Sequence, residues 1–340
     1  MNLKELNAVA KAMVGKGKGI LAADESSPTI KKRFDNIGTA STEENRRRYR
    51  EMLFTAAGAE AFIGGVILYD ETIRQSTSNG VPFPKYLNDL GMIAGIKVDT
   101  GAKPLAGFPG ELITEGLDGL RDRMKEYYGM GARFAKWRAV INIGKGIPTG
   151  FCLQANAHSL ARYAALCQEA QIVPIVEPEV IMDGDHGIER CEEVTADALD
   201  AVFAELRAHR VALEGIILKP NMVISGTKAS KRAGPGDVAK ATLRCLKAHV
   251  PAEVAGIAFL SGGQTAEEAT VHLDLMNRMG TLPWELSFSY GRALQAPALE
   301  AWHGEERQFA AGQKALYKRA KLNSLAHLGK YDSAMEADAA

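Results

Sequence analysis

Eight short runs of apolar, β-branched or glycine-flanked residues punctuate this chain, and each is followed by a longer stretch with helical periodicity. They fall at 18–24 (KGILAAD), 63–70 (IGGVILYD), 92–99 (MIAGIKVD), 132–140 (ARFAKWRAV), 172–179 (IVPIVEPE), 215–220 (GIILKP), 255–263 (AGIAFLSGG) and 284–292 (WELSFSYGR). Successive runs begin roughly 30 to 45 residues apart, room for a strand, a loop and a crossover helix but too uneven for a sequence repeat. The pattern predicts helices over 43–59, 117–128, 153–170, 196–209, 237–249, 266–279 and 305–328, with Thr42 and Thr265 as N-caps ahead of acidic first turns. The stretch 102–116, rich in Gly and Pro, reads as a long loop. Strand and helix alternate eight times with no break in composition, which predicts one α/β domain over 1–340, a (β/α)8 TIM barrel. An N-terminal helix and a short flexible tail over 329–340 are expected as additions. A doubly wound open sheet is the alternative.

Composition narrows the class of function. The 41 basic residues balance 41 acidic ones, so no overall field draws in nucleic acid or an anionic membrane, and any anion site must be local. No stretch approaches ~20 uninterrupted apolar residues, so no membrane span is expected. The four cysteines, Cys152, Cys167, Cys191 and Cys245, form no C-x-x-C and stand too far apart for a thiolate metal site. A reducing, cytoplasmic location is expected, and the N-terminus, with Lys4 and Glu5, lacks the apolar run of a secretory signal. Neither metal nor cofactor is expected. The seven histidines show no H-x-x-x-H or H-E-x-x-H spacing, Asp183-Gly184-Asp185-His186 reads as a solvated loop, and Gly15-Lys16-Gly17-Lys18-Gly19 precedes a strand where a dinucleotide loop would follow one.

In a barrel the chemistry sits at the carboxyl ends of the strands. The first run closes on Asp24-Glu25-Ser26 and the third on Lys97 and Asp99, while the fourth holds Lys136 and Arg138. The fifth closes on Glu177 and Glu179, the sixth on Lys219, the seventh on Ser261-Gly262-Gly263 and the eighth on Ser289-Tyr290-Gly291-Arg292. Side chains two apart on a strand share a face, so cations and carboxylates from several strands can converge on one chamber. Singly, each would more often be a solvated strand end. Lys219 differs, because four residues of Gly215-Ile216-Ile217-Leu218 precede it and Pro220 fixes the backbone after it. Apolar surroundings and a nearby cation such as Lys136 are the conditions under which a lysine serves as a neutral amine nucleophile. Ser261-Gly262-Gly263 and Gly291-Arg292 suggest phosphate cradles, and strands seven and eight are the usual phosphate site of barrel enzymes. The run Arg46-Arg47-Arg48 lies in a helix whose successive residues point to different faces, leaving one of the three free to face the mouth.

These motifs, in this order, resemble the class I fructose-bisphosphate aldolases of the glycolytic type. The likeness runs from Leu21-Ala22-Ala23-Asp24-Glu25-Ser26 to Ser289-Tyr290-Gly291-Arg292-Ala293-Leu294-Gln295, through Gly95-Ile96-Lys97-Val98-Asp99, Phe134-Ala135-Lys136-Trp137-Arg138, Val176-Glu177-Pro178-Glu179, Leu218-Lys219-Pro220-Asn221-Met222 and Phe259-Leu260-Ser261-Gly262-Gly263-Gln264. The resemblance implies a metal-independent lyase that cleaves a sugar bisphosphate, fructose 1,6-bisphosphate, through a Schiff base on Lys219. It implies Glu177 as general acid and base, Asp24 and Lys136 polarising substrate hydroxyls and Glu179 close by. Ser261, Gly262, Gly291 and Arg292 would hold one phosphate, Lys97 and Ser26 would lie toward the other, and Arg46 and Arg138 would be lesser substrate contacts. A cytoplasmic homotetramer is implied as well. This chain departs from the common pattern at Pro28, Thr29 and Thr100, and it ends Ala337-Asp338-Ala339-Ala340 where many members end in a tyrosine. Two rival readings are a barrel glycosidase using Glu177 and Glu179, poorly placed on one strand to straddle a bond, and a non-catalytic sugar-phosphate-binding scaffold.

Overall fold

Each predicted run contributes one parallel strand, because alternation of side chains gives every run two apolar faces to bury. The computed structural model describes residues 1–337. In chain order the strands are β1 (Gly19–Ala22), β2 (Ile63–Leu68), β3 (Ile93–Lys97), β4 (Phe134–Ile141), β5 (Val173–Val180), β6 (Ile217–Leu218), β7 (Gly256–Phe259) and β8 (Leu286–Tyr290). Each pairs in parallel with its neighbours and β8 pairs with β1, which closes the barrel and rules out the open sheet.

One face of each strand looks outward into the helix layer: Leu21, Val66, Ile96, Trp137, Val176, Leu218, Phe259 and Phe288 belong to the main core. The other face fills the barrel. Ile20, Ala22, Ile67, Phe134, Val173, Ile175, Ile217 and Ala258 pack there against Leu6, Ala10, Met13 and Val14. The last group comes from the N-terminal helix Leu3–Met13, capped by Asn2, and its immediate exit, so this helix stoppers the lower end. Inside, Phe134 needs space that two glycines leave: a Cβ on Gly95 would stand 2.3 Å from its ring, and one on Gly65 would stand 3.0 Å away.

The predicted helices are present with shifted ends. Thr42 accepts from the Asn45 amide, and Thr265 with Glu268 forms a full capping box. The helix expected at 196–209 starts earlier, as Ile188–Ala208, because Cys191, Val194 and Thr195 continue its buried stripe. The stretch 102–116 is not a plain loop: Gly101–Pro104 and Leu112–Glu115 pair as an antiparallel hairpin. The Thr114 hydroxyl ties this hairpin to the barrel by donating to the Arg138 carbonyl at 2.7 Å. The tail also differs from expectation as far as Ala337. Tyr331 is buried, its amide donates to Asp274 at 2.9 Å and its hydroxyl to Glu336 at 2.9 Å, while Arg319 pairs with Glu336 at 2.5 Å. An aromatic ring and a buried guanidinium that needs a counter-charge hold residues 329–337 down; the rest of the expected flexible tail lies outside the described residues. Among the described residues, no helix is long and apolar enough to cross a membrane.

Gly95→Ala should cost about 1–3 kcal/mol through crowding of Phe134. In urea titrations, adding Phe134→Leu should cost less in the Gly95→Ala background than in the wild type; strict additivity would show that the ring is not what glycine accommodates.

Candidate active site

The inward faces turn from apolar to charged as the strands rise. Ile20 and Ala22 lead to Asp24, Phe134 to Lys136 and Arg138, Val173 and Ile175 to Glu177 and Glu179, and Ile217 to Lys219. Parallel register puts them level: Lys97 on β3 faces Lys136 on β4, Lys136 faces Ile175 on β5, and Arg138 faces Glu177. The β6 ladder stops just short of Pro220, which has no amide hydrogen, but the Lys219 amide still donates to the Val176 carbonyl at 2.8 Å. That bond sets the root of the Lys219 side chain beside Glu177.

A chain of contacts results. Lys219 Nζ lies 3.2 Å from Glu177 Oε1, Lys136 Nζ lies 3.4 Å from Glu177 Oε2, and Lys136 Nζ lies 2.8 Å from Asp24 Oδ2. Lys219, Glu177 and Lys136 are each at most 4% exposed, and Asp24 is 9% exposed. Burial alone would raise the Asp24 pKa, but the charges of Lys136 and Lys219 overcome it and hold the carboxyl far below its usual range. Burial would likewise lower Lys136, and Asp24 and Glu177 reverse this, holding it well above the usual lysine value. Glu177 Oε2 accepts no hydrogen bond among the described residues, and the Lys136 ammonium at 3.4 Å meets it as an ion pair alone.

Two further pairs flank this chain. Arg138 is bonded to Glu179, and although burial opposes its charge, Glu179 keeps it firmly protonated. Lys97 lies 2.6 Å from Asp99, whose other carboxylate oxygen accepts from the Arg138 amide at 3.3 Å. Together they line a cavity of about 1100 Å³ at the carboxyl end of the barrel. Ser26, Ser261, Gly262, Gly291 and Arg292 line it too. Thus twelve of the thirteen predicted site residues meet in one chamber: Asp24, Ser26, Lys97, Lys136, Arg138, Glu177, Glu179, Lys219, Ser261, Gly262, Gly291 and Arg292. Arg46 does not. It is clamped by Glu71 at 2.7 and 2.6 Å and by the Ser41 carbonyl at 2.6 Å, outside the lining, because the helix Glu43–Phe54 turns that face toward Glu71.

The balance of charge separates two zones. Deep in the barrel each cation has its carboxylate, whereas at the rim Arg292 and Lys32 have no hydrogen-bond or ion-pair partner among the described residues. Arg292 opens the helix Arg292–Trp302, and it lines the cavity together with Gly291 and Gly262 at the positive end of that helix. A side chain at 262 would press on Glu179, its Cβ falling 2.9 Å from Oε1, so glycine leaves that carboxylate free to stay on Arg138. The Ser261 loop is braced from behind, where the His272 ring donates from Nδ1 to Gln264 Oε1 at 2.6 Å. Sequence reading missed several lining residues: Lys32 and Arg33 on the helix Ser27–Asp35 and Arg123 on Leu120–Gly129; Ser289, which closes the eighth run, also lines the cavity, and its buried hydroxyl has no partner among the described residues. The basic triplet Lys31-Lys32-Arg33, directly after the first strand's loop, was the available signal for two of them.

Comparison with known proteins settles the family. The model of the class I fructose-bisphosphate aldolases matches residues 5–340. The chain belongs to that family. It is accordingly a lyase with a (β/α)8 barrel. It is 59% identical over 332 residues to a probable fructose-bisphosphate aldolase class 1 of Xanthomonas campestris, covering 97% of this chain and 99% of the relative. It is 50% identical to fructose-bisphosphate aldolase B of Gallus gallus, covering 99% and 93%. Among solved structures, the aldolase of Plasmodium falciparum in complex with TRAP and a small-molecule inhibitor superposes with a TM-score of 0.96 at 49% identity, covering 97% and 96%.

The brace behind the Ser261 loop predicts a pH dependence. Burial pushes His272 down from 6.5 to about 4, so as pH falls the unfolded chain takes up this proton first. The contribution of the site to stability is therefore complete above pH 6.5 and is lost between 6.5 and about 4, by about 3 kcal/mol in all. Over this window the urea midpoint of His272→Asn should fall less than that of the wild type; equal slopes would contradict the assignment.

Proposed function

We propose that Lys219 forms a Schiff base with the C2 ketone of fructose 1,6-bisphosphate and that Glu177 moves the protons this requires. The observation that carries the reading is the enclosed Lys219 ammonium 3.2 Å from a carboxylate, at the floor of a cavity with unpaired cations at its rim. Proton transfer from Lys219 to Glu177 replaces a buried ion pair with two neutral groups and frees the amine for attack. Addition at C2 gives a carbinolamine, and protonation of its hydroxyl by Glu177 expels water and leaves a protonated imine. A carboxylate then removes the C4 hydroxyl proton. The C3–C4 bonding pair flows into the imine as an enamine, and glyceraldehyde 3-phosphate departs. Protonation at C3 and hydrolysis release dihydroxyacetone phosphate and restore the lysine. Each step reverses, which suits both glycolysis and gluconeogenesis.

The remaining residues take roles that fit their positions. Asp24 and Lys136, joined at 2.8 Å, polarise substrate hydroxyls, and Glu179 with Arg138 walls the same side. Ser261, Gly262, Gly291 and Arg292 hold one phosphate. For the other, Lys97 and Ser26 stand across the cavity, and Thr29 reaches 3.1 Å from the Ser26 hydroxyl, so this departure from the family pattern keeps a hydroxyl at the rim. The protein is proposed to act in the cytoplasm as a homotetramer; four buried free cysteines and a relative named as cytosolic in Arabidopsis thaliana support the location. Arg46, sequestered by Glu71, is left out of the contacts.

Borohydride reduction in the presence of substrate should leave a sugar-phosphate adduct on the peptide carrying Lys219, seen by mass spectrometry, and Lys219→Met should abolish both adduct and cleavage in a coupled assay run with excess chelator. An adduct persisting on another lysine would overturn the assignment. Glu177→Gln should lower kcat by ~10²–10⁴-fold, the usual range for loss of a general acid–base group; an unchanged kcat would move that role elsewhere.

A further inference from the structure

On the outer helix layer, away from the barrel mouth, three side chains with metal-ligand chemistry converge. His158 projects from the helix Gly150–Glu169, which follows β4. Glu205 and His209 stand one turn apart at the end of Ile188–Ala208, which follows β5, with His209 as the C-cap. Glu205 Oε2 lies 3.0 Å from His158 Nδ1 and 3.5 Å from His209 Nδ1. The two imidazole rings meet edge to face with centroids 4.9 Å apart, and one ligand atom from each of the three residues falls within 4.8 Å of the other two. We propose that His158, Glu205 and His209 form a binding site for a divalent transition-metal ion of the zinc class, clipping together the helices behind β4 and β5.

The donor set selects the ion. Two imidazoles and one carboxylate suit zinc, copper or nickel, whereas magnesium and calcium take oxygen donors almost exclusively. Zinc ligands at about 2.0–2.2 Å in a tetrahedron stand ~3.3 Å from one another, and the two separations from Glu205 Oε2 bracket that value. Small side-chain rotations would complete the site without moving either helix. Glu205 is half-buried and, among the described residues, both of its ion-pair partners are these imidazoles, with no lysine or arginine competing for it. Without an ion His209 Nδ1 donates to the Glu205 carbonyl at 2.9 Å, a bond that the rotation onto the ion would replace as Nδ1 loses its proton. Three protein ligands leave a fourth position for water. No ligand pair with the usual histidine spacing appears in the sequence because the third donor comes from a second helix, 47 positions from Glu205.

The site lies apart from the residues assigned to cleavage, so its ion acts on the helix layer and leaves the chemistry at Lys219 untouched. The full-length protein, stripped with chelator, is titrated with Zn²⁺ by calorimetry and with Co²⁺ by visible absorbance. One Zn²⁺ per chain should bind with a micromolar Kd. His158→Ala or His209→Ala should weaken binding about tenfold or more, and Co²⁺ should give d–d bands lost in the double variant. Excess Zn²⁺ should raise the thermal midpoint of the wild type by ~2–5 °C and leave the double variant unmoved. Equal fructose 1,6-bisphosphate cleavage rates in chelator confirm that the variants fold. Unchanged affinity in the double variant would place the ion elsewhere, and absence of saturable binding below ~1 mM would show that no site exists; either result overturns the proposal.

Discussion

Four charged side chains, rooted on or just past four different barrel strands, are kept from water only because every charge among them touches an opposite one. Asp24 answers Lys136, Lys136 answers Glu177, and Glu177 answers Lys219. Removing one partner from such a chain would leave a buried charge uncompensated, typically at a cost of 3–5 kcal/mol. The arrangement therefore depends on strand register, since a slip of one residue would turn every inward side chain outward. Register in turn rests on the apolar layers beneath, where Phe134 and Ile175 fix the level of the polar residues above them.

The same separation of layers explains how stability and chemistry coexist. The lower barrel is filled with apolar side chains, so folding can rest on it. The upper barrel carries matched charges whose pairing can be rearranged by one proton without leaving a net charge in the interior. Arg292 and Lys32, left unpaired among the described residues, stand at the rim, where solvent screens them until an anion arrives.

Much of this was legible in the sequence, and the reason is geometric. Eight runs with apolar faces on both sides can close only as a buried parallel sheet, and polar residues at the carboxyl end of a barrel strand have one place to point. Lys136 with Arg138 and Glu177 with Glu179 could thus be set on one face by counting in twos. Helix-borne residues were less legible. Arg46 and Lys32 both lie in basic stretches, and which of them looks toward the cavity depends on the rotation of a helix that local sequence does not set. The hairpin at Gly101–Pro104 and Leu112–Glu115 was hidden because its strands are short and its composition is that of a turn. The docking of residues 329–337 was hidden because it rests on single tertiary contacts, Tyr331 with Asp274 and Arg319 with Glu336, and not on any periodic pattern.

The stopper formed by the helix Leu3–Met13 has a consequence for traffic. With Leu6, Ala10, Met13 and Val14 sealing the lower end, the barrel is a vessel with a single doorway, and whatever enters must leave against the incoming stream.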